Sequence, residues 1–417
     1  MANKHTLQEL MQWQALPLSI KVAMTKDRIR NWIREYGEDG VYVSFSGGKD
    51  STVLLHIVRE AMGYTKVPAV FVDTGLEYPE IRNFVKTFDN VEILRPKLTF
   101  KQVIEKYGYP FFSKETSEAI YEARKYFTNA EYEVEPLTDR QTDRQTVEGY
   151  WAAADFLGVP RRKKNKDSED YQKLKKGIIP NKYKYGKPVR ILQLEGKLPH
   201  TEHGVTTDEY SKRYDKSRYL FMLEAPFQVN NACCKVMKKA PVKEYAKRTH
   251  RHPMTAQMAS ESRLRQSSWI KNGCNSFDSK NPISNPMAFW TEQDILLYIK
   301  QNNIPICSVY GDIVEDRSGT DEVEGQLTIS DLKEWEGIKD YDAKSLPLKT
   351  TGCNRTGCMF CGYGCHLEKE GEGRFELMKK THPKQYEYIM KPREEGGLNY
   401  RAIIDWINEN GNMNIRY

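Results

Sequence analysis

Val41-Tyr42-Val43-Ser44-Phe45-Ser46-Gly47-Gly48-Lys49-Asp50-Ser51-Thr52-Val53-Leu54-Leu55 decides the fold. The β-branched run 41–43 reads as a buried strand. Beyond the glycines, Leu54, Ile57, Val58 and Ala61 recur at helical spacing on one face. A strand, a glycine turn and a helix aim backbone N–H groups and a helix N-terminus at an anion. Gly47 and Gly48 tolerate positive φ and close approach of a phosphate or sulfate. Lys49 supplies a mobile charge, and Ser44, Ser46, Ser51 and Thr52 supply hydroxyls. Asp50 repels an anion, so its expected task is to orient the loop or to hold Mg²⁺. The spacing excludes the Walker P-loop, which places four residues between its first glycine and GK[ST].

The bulk properties bound the answer. A chain of 417 residues, 39% hydrophobic and 29% charged, has room for two or three domains and a large core. No apolar run approaches the ~20 residues of a membrane span. The start, Met1-Ala2-Asn3-Lys4-His5, lacks the apolar core of a signal peptide. The expected compartment is the cytoplasm, with no membrane partner and with the eight cysteines reduced or metal-bound. A net charge of +7 suits an anionic nucleotide or nucleic acid, and equally suits plain solubility.

Outward from the loop, residues 7–36 read as helix interrupted at Pro17. Strands are expected at 67–72 and 91–94, with a helix between them. This alternation predicts a parallel α/β sheet whose ligand lies beyond the carboxyl ends of the strands. Asp73-Thr74-Gly75 then falls beside the glycine turn. There Asp73 either binds ribose or metal or merely caps the next helix. Ser113 and Lys114 follow a Gly-x-Pro segment and form a further candidate anion contact. The stretch 131–217 looks inserted. It carries a tandem Thr-Asp-Arg-Gln repeat from Thr138, the basic run Arg161-Arg162-Lys163-Lys164 and interleaved Tyr150, Trp151, Phe156, Tyr171, Tyr183 and Tyr185. It reads as a nucleic-acid surface, a lid over a nucleotide, or a solvated insertion.

A further strand is expected at 253–259, running into Arg263 and Arg265, whose planar guanidinium groups suit phosphate or sulfate or surface ion pairs. Thr291 is a good N-cap with Asp294 three residues on, and Trp290 reads as packing. Cys353-x4-Cys358-x2-Cys361-x3-Cys365 places four thiols within thirteen residues, a strong metal signal. A structural zinc would take all four. Cys274 and Cys307 read as buried thiols. From Arg374 the tail is helical, with an amphipathic helix around Ile403, Ile404 and Ile407.

The Ser-Gly-Gly-Lys-Asp-Ser loop, the Val-Asp-Thr-Gly segment ending in Pro79-Glu80, the Cys233-Cys234 pair, the Glu261-Ser262 element with its arginines and Pro286-x3-Trp290-Thr291 occur in that order. Together they resemble the phosphoadenosine- and adenosine-phosphosulfate reductase family of the PP-loop ATP pyrophosphatase, or adenine nucleotide alpha-hydrolase-like, superfamily. The resemblance covers 19–128, 216–310 and the element near 357–361. It implies a Rossmann-like parallel sheet with an inserted region and a C-terminal Cys-rich helical region. It implies a [4Fe–4S] cluster on Cys233, Cys234, Cys358 and Cys361, with Cys353 and Cys365 as substitutes. It also implies a nucleotide (ATP, APS or PAPS) on Ser44, Ser46, Gly47, Gly48, Lys49, Asp50, Ser51, Asp73, Thr74, Gly75, Arg263 and Arg265. One departure stands out. The family attacks sulfate sulfur with a cysteine in a C-terminal Glu-Cys-Gly-[Ile/Leu]-His motif, and Gly364-Cys365-His366-Leu367 is only a faint echo of it. Lys49 and Cys365 are the catalytic candidates.

Three functions remain at this stage. The first is sulfonucleotide reduction or sulfur transfer with a thiol or electron donor. The second is ATP-dependent adenylating sulfur transfer onto DNA or tRNA. The third is a non-catalytic nucleotide or redox sensor. A homo-oligomer is a further candidate state. The expected organisation is an N-terminal helical extension at 1–18, a nucleotide core at 19–130, the insertion at 131–217, completion of the core at 218–310 and a Cys-cluster region at 311–417.

Overall fold

The structure, a computed structural model, describes residues 3–128, 187–202, 205–279, 281–316 and 346–417. The tandem repeat, the basic run 161–164 and the aromatics between Tyr150 and Tyr185 lie outside the described residues. The chain forms two compact units, 1–100 with 236–359, and 101–235 with 360–417. This grouping cuts the chain differently from the sequence expectation: residues 101–128 join the C-terminal helices rather than the nucleotide core. The physical reason is local. Tyr109 donates its hydroxyl to the Leu398 carbonyl at 2.9 Å, and the Phe111–Phe112 strand pairs in parallel with Gly362–Tyr363. Among the described residues no helix is long and apolar enough to cross a membrane.

The first unit is built on a six-stranded sheet. Its centre is β1 (Val41–Ser44), flanked by β2 (Ala69–Val72) and by the strand His252–Met254, both parallel to it. Beyond β2 lies β3 (Val91–Leu94), also parallel. On the other side the sheet continues through Ile283–Ser284 to the antiparallel edge Asn275–Ser276. The mostly parallel α/β architecture agrees with the sequence expectation. The expected strand at 253–259 stops at Met254, and residues Ala259–Glu261 turn as a short 3-10 helix.

Helices α1 (Leu7–Gln14), α2 (Leu18–Tyr36), α3 (Lys49–His56) and α4 (Pro79–Val85) belong to this unit. Val41, Val43, Val53, Leu54, Ile57, Val58, Ala69 and Phe71 are buried with Ile29, Trp32, Phe289 and Trp290 in one cluster. Hence strand residues and the α3 face meet as periodicity required. Past His56 the ladder widens into a π turn, Ile57–Ala61. Arg59, on that turn, donates to the carbonyls of Val67, Asp89 and Asn90 at 2.7–3.1 Å. One guanidinium thereby ties the end of the first crossover to the chain ahead of β2 and of β3.

A second tie is ionic. Lys21 on α2 is 2% exposed. Its ammonium spends all three donors, on the Gln14 carbonyl at 2.6 Å and the two Asp294 oxygens at 2.9 and 2.7 Å. Asp294 also accepts from Thr291 N–H at 2.7 Å and completes the capping box of helix Glu292–Asn302. Trp290 is fully buried and donates to Thr25 at 2.9 Å, a packing role. Removing one partner of a buried pair strands the other charge. Asp294→Ala is therefore expected to lose about 3–5 kcal/mol of unfolding free energy in urea titration. A loss below about 1 kcal/mol would show that the pair is not a structural tie.

The second unit is mainly helical, with Lys114–Thr128, Val189–Leu194, Arg374–Thr381, Pro383–Met390 and Tyr400–Gly411. The tail is helical from Arg374, and Ile403, Ile404 and Ile407 are buried. Ser113 accepts the Thr116 N–H at 3.0 Å and so starts helix Lys114–Thr128.

Candidate functional site

The glycine turn lies at the carboxyl end of β1, where the chain enters α3. Gly47 adopts φ +69. A Cβ there would stand 2.8 Å from a Val85 methyl and 3.0 Å from an Ile81 methyl, so α4 packs directly on the turn and only glycine fits. The loop braces itself. Ser46 N–H donates to Ser51 Oγ at 3.1 Å, and the two serine hydroxyls lie 3.0 Å apart. Ser51 and Thr52 hydroxyls donate back to the Gly48 carbonyl at 2.9 and 3.0 Å. Thus Ser51 and Thr52 fix the shape of the loop by holding the Gly48 carbonyl, and α3 starts with no side-chain cap.

Lys49 is 3% exposed. Its ammonium donates to the Asn354 carbonyl at 2.7 Å and pairs with Glu292 at 3.0 Å. Asp50 lies 3.9 Å from the same ammonium. Burial pushes the Asp50 carboxyl up from its ordinary value, while Lys49 and Arg355 pull it back. The Lys49 N–H, at the first position of α3, donates to the Tyr310 hydroxyl at 3.2 Å, which shares a 2.7 Å bond with Thr356.

Beside the loop, at the ends of β1 and β2, is a cavity of about 140 Å³. Ser44, Ser46, Glu77, Lys238, Thr356 and Gly357 are among its lining residues. That volume fits one phosphate, sulfate or ring, and falls short of the ~300–1,000 Å³ of a complete small-molecule pocket. Lys238 lies 3.6 Å from Glu77, whose carboxylate accepts from Thr74 N–H at 3.0 Å and from its hydroxyl at 2.8 Å.

The structure separates the other sequence candidates. Asp73 pairs with Arg82 at 2.9 Å and accepts Gly75 N–H at 3.2 Å, so its carboxylate orders its own loop. Gly75, at φ +76, has open space where a Cβ would sit. Arg265 pairs with Glu261, which also holds Arg355 at 3.0 Å. Arg265 feels the Asp50 charge, whereas Arg263 is exposed. Glu77, Lys238, Glu292, Tyr310, Asn354 and Thr356 were missed by sequence reading. Of these only Lys238 carried a local signal, four residues after the Cys233-Cys234 pair.

The thiols divide between the units. Cys353 and Cys358 belong to the first; Cys233, Cys234, Cys361 and Cys365 belong to the second. In the second unit Cys233, Cys234 and Cys361 lie within electrostatic reach of Tyr363, and Cys233, Cys361 and Cys365 within reach of Tyr400. Gly362 sits between them in sequence because a Cβ there would meet Phe111 at 2.7 Å. Burial pushes the Cys361 thiol up, and pushes Cys365 up to about 12. Cys365 is 2% exposed and donates to the Gly362 carbonyl at 2.9 Å, the setting of a protonated buried thiol rather than an activated nucleophile. Among the described residues no three His, Cys, Asp or Glu side chains form a ready metal cage. The donor chemistry, soft thiols gathered around aromatic walls, suits iron–sulfur or zinc, and binding would draw them together as it expels their protons. Cys274 accepts from Trp269 at 3.4 Å, Cys307 is 1% exposed, and burial raises both thiols, as expected of core cysteines.

Comparison with known proteins places this architecture. The sequence model of the phosphoadenosine phosphosulfate reductase domain matches residues 40–158 and 191–363. The match takes in the expected element near 357–361, with Cys353, Cys358 and Cys361, and also covers parts of the stretch read as inserted, 131–158 and 191–217. Two uncharacterized proteins of Methanocaldococcus jannaschii, MJ0066 and MJ0973, are 38% identical over 74 residues and 37% identical over 75 residues. Each match covers 17% of this chain, and 15% and 18% of the respective relative, so the chain spans under a fifth of their length. The crystal structure of phosphoadenylyl-sulfate (PAPS) reductase from Candida auris, in a phosphate complex, is 11% identical with a TM-score of 0.31, covering 77% of this chain and 100% of that one. On the extent of the domain match, the chain belongs to the phosphoadenosine phosphosulfate reductase family.

Proposed function

We propose that the chain is an enzyme that binds the anionic tail of an adenine nucleotide on its glycine loop and carries out sulfonucleotide reduction or sulfur transfer. The observation that supports this most is the self-braced turn 46–51, with Lys49 at the head of α3 and the adjoining cavity walled by Ser46, Thr356 and Lys238. The turn offers backbone N–H donors and a helix N-terminus, and Lys49 and Lys238 offer charge. In this reading Ser44 and Ser46 line the anion, while Ser51, Thr52 and Asp50 hold the loop. Asp73, Thr74 and Gly75 form the neighbouring wall, with Mg²⁺ a further candidate at Asp50. Arg265 steers the tail from the rim with Arg355; exposed Arg263 adds long-range attraction.

For a sulfonucleotide the reaction consumes two thiol electrons. A thiolate bonds to the sulfate sulfur and the S–O bond to the nucleotide phosphate breaks. A second thiol then bonds to the first sulfur and releases sulfite, leaving a disulfide. With the Cys365 thiol buried and pushed up to about 12, an external thiol donor suits the first step better. The same buried state favours a second reading, in which ATP adenylates an acceptor oxygen on DNA or tRNA, releasing pyrophosphate, and a sulfide-level sulfur donor then bonds to the acceptor atom as that oxygen leaves with AMP.

A [4Fe–4S] cluster on the second-unit thiols Cys233, Cys234 and Cys361 forms part of the proposal, with Cys365 as a substitute and zinc as the rival metal. When bound it supplies an electron-rich, redox-active centre. The reducing interior of a cell, where thiols stay available, is the setting this chemistry needs.

Anaerobic purification of the whole chain should yield roughly four iron and four sulfide per molecule. Cys361→Ser should lose most of that iron, while Cys274→Ser keeps it; zinc without sulfide would overturn the cluster. With that protein, adenosine 5′-phosphosulfate plus a thiol should release sulfite. Lys49→Ala should lower the rate by about a hundredfold or more. Pyrophosphate release from ATP that rises with added nucleic acid would select the second reading. Nucleotide binding with neither product would make the protein a sensor.

A further inference from the structure

The loop that is built to receive an anion is already occupied by the chain's own oxygens. Around the Lys49 ammonium stand the Glu292 carboxylate at 3.0 Å and the Asn354 carbonyl at 2.7 Å. The α3 N–H that would meet a phosphate or sulfate oxygen donates instead to Tyr310. Tyr310 in turn shares its hydroxyl with Thr356, and both hydroxyls lie within 3.4 Å of where a Gly48 Cβ would be. Carboxylate, carbonyl and hydroxyl thus fill the three kinds of contact that the tail of a nucleotide would make.

Residues 351–357 bring Asn354 and Thr356 there, and they are held in place. Thr351, Gly352 and Cys353 N–H groups donate to the carbonyls of Asp312, Tyr310 and Val309 at 2.9, 2.8 and 3.0 Å. A Cβ on Gly352 would stand 2.4 Å from the Val309 carbonyl, so this crossing requires glycine. Arg355 fastens the far side to Glu261 at 3.0 Å. Glu292 differs from its neighbours here. Its side chain is 46% exposed, against 3% for Lys49. A half-exposed carboxylate returns to water at little cost, so its bond to Lys49 is easily exchanged.

We propose that Glu292 is an autoinhibitory latch, a self-supplied anion that the nucleotide tail must displace from Lys49 while the strap 351–357 stays in place as a wall of the site. This rests on the reading that the loop binds such a tail. A singly charged carboxylate yields to a multiply charged phosphate or phosphosulfate and resists weaker anions, so the latch selects ligands by charge.

ATP and adenosine 5′-phosphosulfate are titrated separately, at low salt, into the whole chain and into its Glu292→Gln form. The substitution keeps shape and removes charge, and it spares the Thr291–Asp294 capping box. The latch requires tighter binding in the variant, by about threefold to tenfold, with the two forms converging at high salt. Binding to the unaltered chain with equal or weaker affinity in Glu292→Gln would overturn the latch and leave the nucleotide reading standing. Binding of neither nucleotide to either form would remove both.

Discussion

Gly47 turns the chain at φ +69 under two methyl groups of α4, and this close contact governs the first unit. If the turn moved outward, Ser46 could not reach Ser51, the Ser51 and Thr52 hydroxyls would lose the Gly48 carbonyl, and Lys49 would leave the carboxyl end of β1. The contact is made by packing rather than by charge. It therefore persists whether or not an anion is present, and the loop need not be ordered by its ligand. The residue that responds to charge, half-exposed Glu292, is placed outside that packed layer.

The electrostatics of the site follow from that division. Lys49 is buried, and a buried ammonium without a partner is unstable. The chain answers with one carboxylate beside it in sequence, Asp50, and one from another helix, Glu292. Burial raises the Asp50 carboxyl, which makes Asp50 a reluctant anion, and Glu292 raises it further. An incoming phosphate or sulfate that replaced Glu292 would keep Lys49 satisfied while removing a neighbour of like charge from Asp50.

Much of this was legible before any coordinates. Strand, glycine turn and helix at 41–58, the strands near 70 and 92, the Thr291 cap and the packing role of Trp290 all rest on short-range pattern, and all are found. What was not legible is long-range. Glu292, Tyr310 and Asn354 reach Lys49 across more than 240 residues, and no local periodicity announces such a partner. Asp73 reads alone as a ribose or metal ligand or as a helix cap; only the fold brings Arg82 onto it at 2.9 Å. The cysteines show the same limit. Their spacing speaks for a metal, yet spacing carries no information on whether thiols converge, and Cys365 owes its raised thiol to neighbours that sequence leaves open.

If the glycine turn holds the anionic tail of an adenine nucleotide, a crystal structure of the whole chain soaked with adenosine 5′-phosphosulfate will show phosphate or sulfate oxygens on the N–H groups of Gly47, Gly48 and Lys49, with the Lys49 ammonium turned from Glu292 toward them. A nucleotide bound elsewhere, with Lys49 still on Glu292 and Asn354, would contradict it.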